Sequence, residues 1–472
     1  MNRLLPILFL AQFLLGCGAP TIHNPSTTLM ETGRSSRVHI RAMELLDAEV
    51  GIEDQDYQKQ LHRIIWAPGF SSEAREQALL RLWSFDKEKT IRTLRQRLPR
   101  MNSGSWKTQL CEWIAAEQIV ELHEALISAW ANPESLVKTE EERPEYIALR
   151  TMYSDDAIAD LIFDSMISAK KTWRQGYRTR CWELLHRLNH RARLISLLEQ
   201  TKFDEDDIFF IDLQKAMNDL GIVPHRREEI LWIRELSKPE HKSFWDEAKI
   251  SLSKLDDARR DAIEMRNVPV VVSLQRHGGE NAFSRTREEI LNQLETKLKN
   301  ATHHYETEGG GLFKASSELF RTHKNKLTWG DAITLEILLT ALSVPEVKAH
   351  LFNYAKRDNL DETTEYGGVI ALDKKGRFEI LEFEPKIRHH DRRFNASQNM
   401  FDAAYTALFH FHFHAQKFRN GNHAGPGFGD KDYADNTRAN CLVFTFVNAS
   451  TLNVDYYRHG KVVVDVGTIS IE

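Results

Sequence analysis

Apolar residues recur at three- and four-residue intervals through the first half of the chain. Leu79, Leu82 and Trp83 share one face at this spacing, and comparable stretches follow along the chain. Ser71 precedes one stretch, and its hydroxyl can cap a helix there. Paired stretches repeat at roughly 32–37 residues, as in solenoids of helical hairpins. We therefore predict a HEAT-like α-solenoid scaffold over residues 38–259, with an irregular helical bundle as the alternative.

The pattern changes beyond this scaffold. The β-branched run Val268–Val272 predicts a short strand, and residues 260–325 form a connecting region whose fold we leave unassigned. Residues 326–472 begin with a pair of predicted helices. Thr328 can cap the first of them, and Pro345 can begin the second. The residues that follow alternate between apolar and polar, as in strands. The predicted fold class is multidomain, α followed by α+β, with a C-terminal mixed sheet flanked by helices.

Histidine alternates with phenylalanine along one predicted strand. His410, His412 and His414 therefore face one side of it, and the phenylalanines face the other. Imidazole is the commonest protein ligand for metals, and alternating imidazoles on a strand lie close enough for one ion to bridge. We expect His410 to be a non-ligand. A glycine-rich turn can bring a carboxylate against the strand, with Asp430 as the first choice and Asp432 as the second.

Composition and charge narrow the classes of function. The 472 residues carry 63 Lys+Arg and 68 Asp+Glu, which gives a net charge of −5, and 42% are hydrophobic. These values exclude wholesale disorder and a multi-span membrane protein, and they disfavour nucleic acid as a partner. Six arginines between residues 174 and 193 form a basic run that the nearby acids Glu183, Glu199 and Asp204 dilute, and we predict a solvated helix face there. The four scattered cysteines include no Cys-x-x-Cys pair, which disfavours a thiolate zinc site.

The first residues have the composition of an export signal. Arg3 precedes an apolar run that is too short to span a bilayer. The run ends in Leu-Leu-Gly-Cys at residues 14–17, which resembles a bacterial lipobox, and this resemblance implies cleavage before Cys17 and lipid attachment to its thiol. We predict a lipoprotein signal peptide over residues 1–16 and a flexible tether over residues 17–37. The protein would then be lipid-anchored in the bacterial cell envelope, facing away from the cytoplasm.

The C-terminal residues resemble the motif of the JAMM (MPN-type) metalloproteases. That family has a glutamate shortly before glycine on an early strand, then a His-x-His pair, then a Ser-x-x-Asp element. This chain offers Glu365 before Gly367, then His412 and His414, and finally Asp430. The order and the separation of these elements match, and the resemblance is confined to the C-terminal domain.

The resemblance implies a particular chemistry. His412, His414 and Asp430 would hold Zn²⁺, with water as the fourth ligand. Glu365 would act as the general base toward that water and would then pass the proton to the leaving amine. The implied reaction is hydrolysis of an amide or isopeptide bond in a protein or peptide substrate, which the helical scaffold would present.

Three features depart from the family pattern. Ala415 stands where the family usually has proline, and the loop from there to Asp430 is longer than usual. Gly427 replaces the serine that helps to stabilise the oxyanion, and the loss of one such donor can cost on the order of 10²–10³ in rate. Asn422 and His423 are candidate replacement donors within the longer loop.

Two functions are compatible with these residues. The first is a membrane-anchored zinc peptidase or isopeptidase-like hydrolase whose helical scaffold binds a protein partner. The second is a non-catalytic protein-binding scaffold with a degenerate JAMM-like domain, and Gly427 is its main support. A metal-dependent deaminase is a weaker third alternative, because the cysteine ligands usual in that class are missing.

Overall fold

The chain divides into two compact units, Met1–Ser168 and Ala169–Glu472. The computed structural model describes residues 21–132, 139–169, 175–279, 281–305, 318–385 and 394–471. These residues form mostly helices and then a C-terminal six-stranded mixed sheet, which confirms the order α followed by α+β. The boundary between the units falls inside the predicted 38–259 scaffold, and the solenoid arrangement stays a prediction.

The described part of the first unit is helical. Ser71 accepts a hydrogen bond from the Ala74 backbone N–H at 3.2 Å, which confirms the predicted cap. Neighbouring helices pack their apolar faces together, because a single amphipathic helix cannot bury its own stripe. The helices are α1 (Pro25–Met30), α2 (Ser36–Glu49), α3 (Gln55–Trp66), α4 (Ser72–Phe85), α5 (Lys87–Arg97), α6 (Ser105–Ala116), α7 (His123–Trp130), α8 (Pro144–Tyr153) and α9 (Ile158–Ser168).

The second unit continues with helices before its sheet. Thr328 accepts from the Asp331 backbone N–H at 3.1 Å and Pro345 opens the following helix, as predicted. The helices are α10 (Gln175–Arg187), α11 (Arg191–Gln200), α12 (Ile208–Leu220), α13 (Arg227–Leu236), α14 (Lys242–Leu252), α15 (Asp257–Asp261), α16 (Val268–His277), α17 (Arg287–Leu298), α18 (Phe320–His323), α19 (Trp329–Ser343), α20 (Pro345–Asn359), α21 (Gln398–Ala404) and α22 (Phe428–Thr437).

The predicted strand at Val268–Val272 is wrong, because these residues begin α16. Pro269 lies in the first turn, where its missing N–H costs no hydrogen bond. All side chains from Val268 to Leu274 are buried, and α16 packs against both α14 and α19. The first seven residues of α16 are buried on every side of the helix, so tertiary burial outweighs the strand preference of valine.

The predicted solvated arginine face is also wrong at Arg178. This side chain is 1% exposed, and its guanidinium donates to both carboxylate oxygens of Asp207, at 2.7 and 2.9 Å. It also lies over the Phe210 ring, 4.4 Å from the centroid. A buried arginine is stable only when its charge is paired, and the acidic partner comes from 29 residues along the chain. Arg174 lies outside the described residues.

The sheet has the strand order β2-β1-β3-β4-β5-β6. Its neighbours pair antiparallel except β3 and β4, which are parallel. The strands are β1 (Gly367–Leu372), β2 (Phe378–Phe383), β3 (Phe409–His414), β4 (Cys441–Asn448), β5 (Thr451–Arg458) and β6 (Val462–Ser470).

The alternation along β3 separates a core face from a polar face. Phe409, Phe411 and Phe413 are fully buried in the main apolar core. Tyr354 of α20 packs edge-on against Phe411 and Phe413, with ring centroids 6.2 and 5.4 Å apart. The predicted inward phenylalanines are therefore confirmed, and the histidines of the same strand point to the opposite face.

The predicted export signal, residues 1–16, and the lipidation site Cys17 lie outside the described residues. Within the described ranges, no helix has the length and apolarity needed to cross a bilayer.

Candidate metal centre

Two imidazoles of β3 converge at the polar face of the sheet. His412 and His414 are two residues apart on the strand, and their Nε2 atoms lie 3.3 Å from each other. In the strand register, His412 lies beside Gly367 of β1 and Val443 of β4. Both side chains therefore occupy a central strand, whose backbone is held by hydrogen bonds on both sides.

The carboxylate of Asp430 completes the group from the first turn of α22. Its Oδ2 accepts from the Gly427 backbone N–H at 2.8 Å, which also caps the helix. Oδ1 lies 3.4 Å from His412 Nε2, and Oδ2 lies 3.7 Å from His414 Nε2. One ligand atom from each of the three residues lies within 4.8 Å of the others, so the group could hold a metal ion. Asp432, the second choice, is exposed and is not in the group.

A contact of Nδ1, the ring nitrogen that faces away from the group, fixes the orientation of the His414 imidazole. Nδ1 lies 3.0 Å from the backbone carbonyl oxygen of His423, and a carbonyl can only accept. Nδ1 therefore carries the proton, and Nε2 presents a lone pair to the group. Backbone carbonyls commonly orient metal-binding histidines in this way. His423, a candidate oxyanion donor, contributes its backbone here, and Asn422 is exposed beside it.

Charge and burial oppose each other within the group. Burial acts to raise the pKa of Asp430, but His412, His414 and the Gly427 N–H hold that pKa well below its usual range. Burial acts to lower the pKa of His412, but the Asp430 charge outweighs it and raises that pKa. Burial and the neighbouring His412 lower the pKa of His414 to about 4. The Asp430 charge therefore favours the protonated form of His412, whereas His414 favours the neutral form, which is the form that binds metals.

Glu365 lies in the same cavity as the group. It precedes β1, and the Tyr366 carbonyl accepts from the Phe413 N–H at 3.1 Å, which extends the pairing of β1 with β3. The Glu365 side chain is 4% exposed, and its Oε1 accepts from Gln416 Nε2 at 3.0 Å. Gln416 in turn accepts from Asn420 Nδ2 at 2.8 Å, which orients its amide group toward the carboxylate. The predicted general base and the three predicted ligands thus line one cavity of about 720 Å³.

His410 has a different partner from the other two histidines. Its Nδ1 lies 2.8 Å from the hydroxyl of Tyr433, and it is not a member of the converging group. The Tyr433 ring stacks on Phe401 of α21, with centroids 6.3 Å apart. Tyr433 follows Asp430 by three residues and therefore shares its side of α22. Sequence analysis did not identify Tyr433, although this spacing was a signal that it borders the site.

The replacement of serine by Gly427 leaves room for a side chain. A Cβ atom built on Gly427 would lie 3.5 Å from Asp430 Oδ2, an ordinary contact distance. The backbone of Gly427 has φ of −72°, which any residue adopts. The glycine is therefore not required by the local fold.

Comparisons with known proteins found no similar protein. No family model matches the chain, and no curated protein or solved structure matches it either. The conclusion that the structure itself supports is that two imidazoles and one carboxylate could hold a metal ion beside a buried glutamate.

Proposed function

We propose that the protein is a zinc-dependent hydrolase of amide or isopeptide bonds, similar to the JAMM metalloproteases. The observation that supports this proposal is the convergence of His412, His414 and Asp430 in the cavity that also contains Glu365. These residues come from three separate elements of the chain, so their convergence is not a consequence of local sequence alone. The substrate class is a protein or peptide, and the helical scaffold would present it.

The donor set fits zinc. Two neutral imidazole nitrogens and one carboxylate oxygen are typical of catalytic zinc sites, which use three protein ligands. The Nδ1 proton of His414 is held by a carbonyl oxygen, which leaves Nε2 as the donor atom. Zinc, when bound, would supply a water of lowered pKa and polarise the substrate carbonyl.

Glu365 provides the proton transfers of this reaction. Its carboxylate takes a proton from the attacking water, the water oxygen bonds to the amide carbon, and the C–N bond breaks. The same proton passes from Glu365 to the departing nitrogen, which leaves as the amine. Gln416 holds the carboxylate in position through its Nε2 donor.

Metal analysis of the purified chain with and without its ligands tests the proposal. We expect about one zinc per wild-type chain and none in the variant His412→Ala/His414→Ala. Glu365→Gln is expected to keep the metal and to lose hydrolysis of a fluorogenic peptide pool by at least about 10²-fold. Glu362→Gln, three residues away and exposed, is the matched control. Wild-type protein that binds no zinc would contradict the proposal.

A non-catalytic protein-binding scaffold is the second candidate, and Gly427 is the observation that favours it. The family serine supplies an oxyanion donor that glycine lacks. Because Gly427 has room for a side chain, Gly427→Ser tests the two candidates directly. The hydrolase predicts a higher rate in Gly427→Ser, whereas the scaffold predicts metal binding without cleavage in either form. Cleavage that is lost with His412→Ala would eliminate the scaffold.

The proposed membrane anchor rests on the lipobox-like residues 14–17. In a bacterial host, we expect a fatty-acid label to be incorporated into the wild-type chain and to be lost in Cys17→Ser. Cys111→Ser is the control, because Cys111 is buried and distant in sequence. A label that persists in Cys17→Ser would contradict lipidation at this residue.

A further inference from the structure

The cavity at the metal centre is lined by apolar as well as polar side chains. Its polar lining includes the converging ligands and Glu365. Its apolar lining includes Phe394, Met400 and Phe428, which come from the segment before α21, from α21 and from α22. A cavity of about 720 Å³ is large enough to take a substrate side chain together with the reacting bond.

The Phe394 ring lies directly over the strand next to a metal ligand. A Cβ atom built on Gly367 would lie 2.8 Å from two carbons of this ring. Gly367 is also the strand partner of His412. A side chain at position 367 would therefore displace the ring. The glycine thus allows the Phe394 ring to lie beside the strand residue that pairs with His412.

Phe428 also borders this cavity. It lies two residues before Asp430, between Gly427 and Gly429, and its side chain is 79% exposed. A single exposed apolar residue is ordinary, as the 84% exposed Leu360 shows. Phe428 differs because it lines a cavity that holds a potential metal site, so a substrate in that cavity can reach its exposed side chain.

We propose that these apolar lining residues form a specificity subsite for an apolar, preferably aromatic, side chain next to the scissile bond of a peptide substrate. Phe394 and Met400 form its wall, and Phe428 forms its rim. The exposed carboxylate of Asp432 also borders the cavity and opposes an acidic side chain there. The subsite rests on the proposed function for the bound zinc and for the statement that the substrate is a peptide with a scissile bond.

Binding of hydroxamates to the zinc-loaded full chain tests the subsite without requiring turnover. Two pairs of peptide hydroxamates are compared, which place a benzyl group or a hydrogen atom on either side of the position of the scissile bond. We expect the benzyl compound of one pair to bind at least about tenfold more tightly by calorimetry. Equal affinities within both pairs would overturn the subsite.

Two variants test which residues cause the preference for the benzyl group. Phe428→Ser removes an exposed side chain and is expected to fold normally, and Phe394→Ala removes the ring over Gly367. Each is expected to reduce the benzyl preference to less than about threefold, whereas the matched control Leu360→Ser keeps it at about tenfold. If Phe394→Ala fails to fold, Phe428→Ser alone decides. An unchanged preference in Phe428→Ser would contradict the assignment of the rim.

Failure of the subsite and failure of the hydrolase give different results. A benzyl preference without any peptide cleavage would retain the subsite and remove the hydrolase. Cleavage of peptides with equal kcat/KM for phenylalanine, serine and aspartate next to the scissile bond would retain the hydrolase and remove the subsite. Absence of hydroxamate binding would remove the subsite, and the cleavage assay would then decide on the hydrolase.

Discussion

The two faces of the C-terminal sheet each carry a buried charged cluster, and consecutive residues of β5 border them. Tyr457 lines the metal cavity on one face. On the other face, Arg266 Nη1 donates to the Tyr456 hydroxyl oxygen at 3.0 Å. Neighbouring residues of a strand point to opposite faces, so one strand serves both clusters.

The Arg266 cluster matches every charge with an opposite one. Asp331 lies 2.8 Å from Nη2 of Arg266 and 2.8 Å from Nη2 of Arg458, and Glu264 accepts from Arg266 Nε at 2.7 Å. Burial acts to raise the pKa of Asp331, but the two guanidinium groups lower it. The cluster joins α19 to the end of the sheet, and its role is structural.

The metal group is arranged differently. Two imidazole nitrogens and a carboxylate oxygen point at one another from within 4.8 Å, beside an open cavity. A cation placed among them would satisfy all three donors at once. The comparison indicates that a buried polar cluster is structural when its charges are paired, and is suited to binding when its electron-pair donors converge beside a cavity.

The largest expected effect is on the structural cluster. Asp331→Ala leaves the guanidinium groups of Arg266 and Arg458 buried without their carboxylate, and we expect a loss of about 3–5 kcal/mol in the free energy of unfolding. Denaturant unfolding measures this loss. Asp430→Ala in the presence of a chelator is expected to cost much less, because the Asp430 side chain is 25% exposed. Equal losses in the two variants would break the comparison.

Metal removal is expected to have the next largest effect. Zinc at one hundred times its dissociation constant should raise the free energy of unfolding by about 2.7 kcal/mol, because it binds the folded state. Thermal unfolding with zinc and with a chelator measures the difference. The variant His412→Ala/His414→Ala should show no such gain, and a gain retained in that variant would place the zinc elsewhere.

Tyr433→Phe tests whether His410 is independent of the metal group. The substitution removes the hydroxyl that contacts His410 Nδ1, and we expect a loss of about 1 kcal/mol in the free energy of unfolding. Zinc content should stay at one per chain, because His410 does not belong to the converging group. Loss of zinc in Tyr433→Phe would contradict the non-ligand assignment of His410.

The smallest expected effect is a pH dependence at the margin of the sheet. His303 Nδ1 lies 3.1 Å from Asp465 Oδ2, and this carboxylate raises the pKa of His303 above its ordinary value of 6.5. Its stabilising contribution is complete below pH 6.5 and is lost as the pH rises through the folded-state pKa. We expect less than about 1 kcal/mol, measured by unfolding between pH 6 and pH 9.

His303→Gln should flatten this pH dependence. His304→Gln is the matched control, because the His304 backbone N–H donates to Asp465 and the substitution keeps it. A pH dependence that persists in His303→Gln would assign it to other groups.

The sequence predicted features that depend on a few neighbouring residues. The alternation along β3 placed phenylalanines on the core face and histidines on the opposite face, and the structure confirms this. The caps at Ser71 and Thr328 are also confirmed, because a hydroxyl and an N–H three residues later interact within one helical turn.

The predictions failed where burial by distant residues decides. Val268 begins a buried helix rather than a strand, and Arg178 is buried against Asp207 rather than solvated. The choice between Asp430 and Asp432 as the third ligand also depends on the packing of distant residues. Two positions on a helix are turned by about 200° from each other, so only one can face the histidines, and the docking of α22 determines which one.

The sequence by itself determined the types of ligand, the face of β3 that carries them, and the glutamate that precedes β1. Only the tertiary structure brought Glu365, His412 and Asp430 into one cavity and laid the Phe394 ring over Gly367. Backbone geometry imposes the direction of neighbouring side chains within a few residues. The distance between residues far apart in the chain depends on how whole elements pack, which no local pattern specifies.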